Sequence, residues 1–207
     1  MADIVYTLEG GVYLNITNRC PCRCTFCIRQ NGDGVGSAAT LWHEQPPTTA
    51  QVLDALRAFD FRPYREVTFC GYGEPLCALD ALLAAARWLR EHYPTLAIRV
   101  NTNGLGDLIN GQATAPLLSG LVDAVSISLN APTAEAYLAV TRPSFGLPAF
   151  DAMLQFARDC KRYIPRVSMT VVDVIPPEDI AACRRLAAEM DIPLRVRACI
   201  TDNVTYE

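Results

Sequence analysis

Four cysteines fall within eight residues of this chain, in Cys20-Pro-Cys22-Arg-Cys24-Thr-Phe-Cys27. Thiolates are soft ligands that select zinc, copper(I) or iron–sulfur clusters. A closed structural zinc site takes four protein ligands, normally as two separated pairs. No second pair follows, because His43 and His92 stand alone and the other cysteines are dispersed. Cys20, Cys24 and Cys27 form a Cys-x3-Cys-x2-Cys spacing. Three thiolates so arranged suit a [4Fe–4S] cluster with one iron left open to a small-molecule ligand. Cys22 is then an extra thiol inside the loop. The competing reading of the same stretch is a zinc or redox knuckle.

The residues around this loop read as alternating strands and helices. Strands over 3–8 and 11–18 join at Gly10-Gly11, a hairpin-type connection. The cysteine loop leaves the second of them directly. A helix capped by Thr48 or Thr49 runs to about Phe59. Strands follow over Arg65–Cys70, Leu96–Thr102, Leu121–Leu129, Arg166–Val174 and Leu194–Cys199. Between them lie helices over about 79–92, short helical pieces over 105–119, and helices over 133–140, 149–162 and 177–190. Alternation of this kind builds βαβ units on a parallel sheet with right-handed connections. The expected fold is a single α/β domain over 1–207, an open partial (β/α)6 barrel with one short extra strand at the N-terminus. Active sites of parallel α/β folds lie at the C-terminal ends of the strands. The cysteine loop and the turn Gly71-Tyr72-Gly73-Glu74-Pro75 both fall there.

Parallel strands covered on both faces are apolar on both faces. Here Ser126, Ser128 and Asn130 alternate with Val125, Ile127 and Leu129. Arg99, Asn101 and Asn103 alternate with Ile98 and Val100, and Arg195 and Arg197 with Leu194 and Val196. Asp173 is a lone acid near the end of its strand. The period of two predicts a polar barrel interior that holds a polar ligand. For Asn101 and Asn103, followed by Gly104, satisfaction of strand-end backbone groups is an equal alternative.

The cysteine spacing, with Phe26 just before the last ligand, resembles the radical S-adenosylmethionine (radical SAM) superfamily. Gly71-Tyr72-Gly73-Glu74-Pro75 resembles that family's Gly-Gly-Glu-Pro motif. The segments Ile16–Gly36, Phe69–Pro75 and Ser128–Ala131 are similar to the short radical SAM proteins linked to TatD-type hydrolases. The resemblance implies a [4Fe–4S] cluster on Cys20, Cys24 and Cys27. It implies SAM held on the fourth iron through its methionine amine and carboxylate. An electron from the cluster then cleaves SAM to methionine and a 5′-deoxyadenosyl radical that abstracts hydrogen from a substrate. It further implies backbone groups of Gly71, Tyr72 and Gly73 at SAM's amine, and Glu74 ordering that loop or the ammonium. Asn103, and Ser128 or Asn130 at the ribose, complete the expected site, with Arg197 facing SAM's carboxylate or an anionic substrate. An external electron donor such as flavodoxin or ferredoxin is the implied partner, and a functional link to a TatD-type hydrolase is a second implication. The substrate is not implied. A radical-installing activase acting on a protein, and a nucleoside- or tRNA-modifying enzyme, are the alternatives within the class. A non-catalytic iron–sulfur or zinc module is the alternative outside it.

Hydrophobic residues make up 51% of the chain and charged residues 19%, with a net charge of −4, so no global basic field draws nucleic acid. No apolar run reaches the ~18 residues that span a bilayer. The N-terminus has no basic signal-peptide region. Nine cysteines without a secretion signal point to a reducing cytoplasm. With eight residues after Cys199, no second cluster domain is expected in this sequence. His43, Trp42 and Tyr72 are secondary candidates for facing the substrate. Cys70, Cys77, Cys160, Cys183 and Cys199 read as small buried hydrophobes, with Cys70 or Cys77 as an alternative hydrogen-atom donor.

Overall fold

The structure, a computed structural model, describes residues 2–200. One seven-stranded sheet runs in sequence order: β1 (Val5–Leu8), β2 (Gly11–Leu14), β3 (Glu66–Phe69), β4 (Ala97–Thr102), β5 (Ala124–Ser128), β6 (Arg166–Val172) and β7 (Leu194–Arg197). The β1–β2 hairpin is antiparallel and every later pair is parallel. The β1 and β7 edges do not pair, so the barrel is open. The helices are α1 (Thr49–Ala58), α2 (Leu79–His92), α3 (Gly106–Asn110), α4 (Ala115–Leu118), α5 (Ala134–Thr141), α6 (Pro148–Tyr163) and α7 (Pro177–Glu189).

Alternation decides which side of the sheet is core. Val67, Phe69, Ile98, Val100, Ile127 and Met169 are wholly buried in the main hydrophobic cluster, together with apolar residues of α2 and α6 such as Leu82, Leu89, Met153 and Phe156. The opposite face carries Thr68, Arg99, Asn101, Ser126, Ser168 and Arg195. Thr48 is the cap of α1: its hydroxyl accepts from Gln51 N (3.3 Å) and Gln51 Oε1 accepts from Thr48 N (2.8 Å).

Every strand is shorter than expected, three of them for reasons visible in the structure. β2 stops at Leu14 rather than residue 18, and Asn15 just beyond it is held by its side chain. Its side chain donates to Leu41 O (2.8 Å) and accepts from Tyr72 N (3.2 Å). The strand expected over Leu121–Leu129 is Ala124–Ser128, since Leu121 and Val122 are bound to Leu118 O in the turn after α4. Asn130 lies beyond it with φ 58°, a left-handed conformation that Asn tolerates better than most residues. It therefore reaches the polar side from a turn, and not through strand alternation. β7 ends at Arg197, and Cys199 N instead donates to Asp173 Oδ1 (2.7 Å).

Candidate active site

The cysteine loop is clamped from two sides. Arg23 N donates to Thr141 O (3.0 Å), Thr25 N to Val140 O (3.0 Å), and Ser144 N to Pro21 O (2.9 Å). The last carbonyls of a helix have no partner inside it, and the end of α5 gives two of them to this loop. On the other side Glu74 N donates to Arg19 O (2.8 Å). Cys20, Cys24 and Cys27 are half-buried and all line one cavity of about 210 Å³ at the C-terminal end of the sheet. Cys22 is 3% exposed and belongs to the hydrophobic core. Hydrogen bonding from Cys22 holds the thiols of Cys20 and Cys24 below the usual cysteine range, while the same bonds and burial push Cys22 up. Asn103 Nδ2 lies 3.8 Å from Cys20 Sγ and 3.6 Å from Cys22 Sγ.

Three thiols lining one cavity are the soft donor type that a [4Fe–4S] cluster takes. Among the described residues no three His, Cys, Asp or Glu side chains converge as ligands of one metal atom. In a [4Fe–4S] cluster each thiolate holds a different iron, so the ligands ring a cavity instead of meeting at a point. Cys20, Cys24 and Cys27 line one cavity.

The glycine turn explains its own composition. A Cβ on Gly71 would lie 2.2 Å from Asn15 Oδ1, and one on Gly73 2.1 Å from Thr17 O. Both glycines let the end of β3 pass against the segment that feeds the cysteine loop, and neither has a positive φ. Glu74 is buried. Its Oε1 accepts from Thr102 Oγ1 (2.7 Å) and Leu76 N (3.1 Å), and its Oε2 from Asn103 N (2.7 Å). Burial pushes this carboxyl up to about 7. Glu74 thus ties the 3-10 turn Pro75–Ala78 to the end of β4. Tyr72 is buried on the other side of the turn, where its hydroxyl donates to Gly32 O (2.6 Å).

Of the residues singled out from sequence, Phe26, Gly73, Glu74, Asn103, Ser128, Asn130 and Arg197 line the same cavity as the three cysteines. Gly71 and Tyr72 do not. They line a neighbouring cavity of about 830 Å³ that covers the polar face of the sheet. His43 binds Asn15 through Nε2 (2.9 Å to O), and Trp42 packs edge-on against Tyr72, so both serve the loop that covers β1 and β2. Cys70 lies in the wall common to the two cavities, whereas Cys77 lines neither. Burial pushes Cys77 up to about 12 and raises Cys70 as well.

Sequence reasoning missed Tyr137 and Thr141, which line the cysteine cavity from α5. They sit four residues apart on one helix face, in the helix that follows the Asn130 turn, and that spacing was the available signal. Asn130 Oδ1 and Tyr137 Oη are buried without a hydrogen-bond partner. Orphaned buried polar atoms are rare in folded proteins, and these two line one cavity.

Residues 14–188 match the profile of the family described as the Radical SAM superfamily, and the chain belongs to that family. Its members are enzymes that use a [4Fe–4S] cluster and SAM. The chain is 31% identical over 153 residues to a probable dual-specificity RNA methyltransferase RlmN of Prochlorococcus marinus, covering 70% of this chain and 39% of that protein. It is 33% identical over 146 residues to a GTP 3′,8-cyclase of Corynebacterium glutamicum, covering 69% and 36%. The chain thus spans under two-fifths of the length of these curated relatives. Among solved structures, SuiB of Streptococcus suis bound to S-adenosylmethionine superposes with a TM-score of 0.66 at 16% identity, covering 94% of this chain and 42% of that one. Native anSMEcpe with bound AdoMet gives 0.63 at 20% identity, covering 91% and 50%. These likenesses show the fold, a partial barrel with an open sheet.

Proposed function

We propose that this chain is a radical SAM enzyme in which Cys20, Cys24 and Cys27 hold a [4Fe–4S] cluster and the adjoining strand ends hold SAM. The observation that carries the reading is that three half-buried thiols and the polar ends of β3, β4, β5 and β7 line a single cavity. When bound, the cluster and SAM supply one-electron cleavage to methionine and the 5′-deoxyadenosyl radical, the hard chemistry that a protein scaffold positions. The chain's own residues orient and enclose. The backbone of Gly73, with Glu74 fixing it, presents acceptors to SAM's ammonium. Gly71 and Tyr72 act indirectly, by setting where that backbone lies. Ser128 and the unpartnered Oδ1 of Asn130 face the ribose, Phe26 covers the loop side, and Arg197 meets the carboxylate or an anionic substrate. Asn103 points an N–H toward the Cys20 sulfur, which lowers the negative charge felt there.

The outer side of the cysteine loop carries Arg23, Arg29 and Arg142 around a shallow depression that also reaches Cys24 and Cys27. That rim suits an acidic one-electron donor of the flavodoxin or ferredoxin kind, in a cytoplasmic setting. The relatives named for RNA and for GTP support a nucleotide-related substrate over a protein to be activated. The TatD link is carried by the resemblance of Ile16–Gly36, Phe69–Pro75 and Ser128–Ala131. The test is anaerobic reconstitution followed by electron paramagnetic resonance. The reduced protein should hold about four irons per chain, and its signal should change when SAM is added. A zinc-loaded protein, or a cluster signal indifferent to SAM, would contradict the reading.

A further inference from the structure

We infer that the polar face of the sheet beside the cysteine cavity is a substrate subsite for a small anion, a carboxylate or phosphate, anchored by Arg195. The inference rests on the radical SAM reading and adds the substrate class. The cavity over this face is about 830 Å³, and its floor is hydroxyl and amide from strand to strand: Thr68, Asn101, Ser126, Ser168 and Thr170. A parallel sheet covered on both faces is apolar on both faces, and this one is polar on the side away from the helices. The charges are unbalanced. Glu66 is already paired, with Arg99 at 2.7 and 3.0 Å and with Arg166 at 3.4 Å. Glu9, the other acid of the lining, sits exposed at the tip of the β1–β2 hairpin, and Arg195 is exposed as well, on the edge strand β7. Arg195 and Arg197 also line the cavity, and neither guanidinium has an ion-pair or hydrogen-bond partner among the described residues.

Placement ties this charge to the chemistry. Arg195 and Arg197 are two apart on β7 and so face the same way. Arg195 pairs in register with Thr170, which pairs with Ser128. A planar guanidinium with a hydroxyl beside it matches the two oxygens of a carboxylate or phosphate. Arg197 lines both cavities, and so do Cys70 and Asn101. An anion on Arg195 therefore sits ~7 Å along the strand from that common wall. The rest of a small substrate then reaches the wall, next to the place proposed for SAM.

The test is equilibrium binding of phenyl phosphate and of benzoate to the reconstituted protein, with cluster absorbance and the SAM-dependent change recorded on the same samples. Wild-type protein should bind at least one of them saturably, and the tighter of the two distinguishes phosphate from carboxylate. Arg195→Ala should weaken that binding by about tenfold or more, Arg195→Lys by less, and the exposed Arg184→Ala not at all. Thr170→Val, which keeps the side-chain shape, should weaken it in the same direction. Absence of saturable binding below ~10 mM, equal affinity in Arg195→Ala, or an equal loss in Arg184→Ala would overturn the inference. Loss of anion binding with the cluster and SAM responses intact strikes at this subsite alone. Loss of those responses with anion binding intact strikes at the radical SAM reading instead.

Discussion

Burial divides the sulfur chemistry of the loop among its cysteines. All four line the same cavity, but Cys22 is buried in the core and hydrogen-bonds to Cys20 and Cys24, while Cys20, Cys24 and Cys27 are half-buried. Cys20→Ala, Cys24→Ala and Cys27→Ala should each abolish the reconstituted cluster chromophore, and Cys22→Ala should keep it. Cluster loss in Cys22→Ala with retention in one of the others would overturn the assignment. Glu74 offers a second test, through pH. Its carboxyl stands near 7 when folded, against an ordinary value of 4.5. Between those values the folded chain holds a proton that the unfolded chain releases, so stability falls as pH rises through the window and is level outside it. Glu74→Gln removes this dependence. The stability of wild type relative to the variant, from urea midpoints, should drop by up to ~3 kcal/mol between pH ~4.5 and ~7.5. A rise over the same window would contradict the burial account.

At the scale of elements, the sheet was legible because period-two alternation survives in short strands. Ile98 and Val100, or Val125 and Ile127, announce the covered face, and the polar residues between them announce the cavity. The cysteine and glycine turns were legible because their residue types are constrained, by sulfur ligation in one and by the close passage at Asn15 and Thr17 in the other. The clamp from α5 was not legible. It is made of backbone groups at Val140 and Thr141 meeting a loop more than a hundred residues earlier, and backbone bonds leave no mark on residue choice. Tyr137 was hidden for a related reason, since a tyrosine on a short helix reads as ordinary core. Asn130 was placed on the right side by the wrong route, through strand alternation instead of a left-handed turn. A core residue of β5 and the turn residue after it predict opposite phenotypes. Ile127→Ala should cost ~2–5 kcal/mol of stability through a core cavity. Asn130→Gly, which suits the left-handed backbone, should leave the melting midpoint nearly unchanged and raise the SAM concentration needed for half-saturation. Equal stability losses in the two variants would contradict this division between core strand and ligand-facing turn.

The molecule as a whole is acidic, yet Arg23, Arg29 and Arg142 gather on the outer side of the cysteine loop. Electrostatic steering by such a rim acts on association rate and fades with salt. Arg23→Glu with Arg142→Glu should slow reduction by flavodoxin about tenfold at low ionic strength, and reduction by dithionite should be unaffected. Equal slowing by both reductants would show damage to the cluster and not to a docking rim. The polar face and the cysteine cavity adjoin at one end of an open sheet, and that adjacency is what the enzymatic reading requires. Its most direct measurement is the yield of 5′-deoxyadenosine from the anaerobically reconstituted chain given SAM and a reductant. Wild-type protein should form it, and Cys27→Ala should not. A wild-type chain that carries about four irons and releases none would contradict the account.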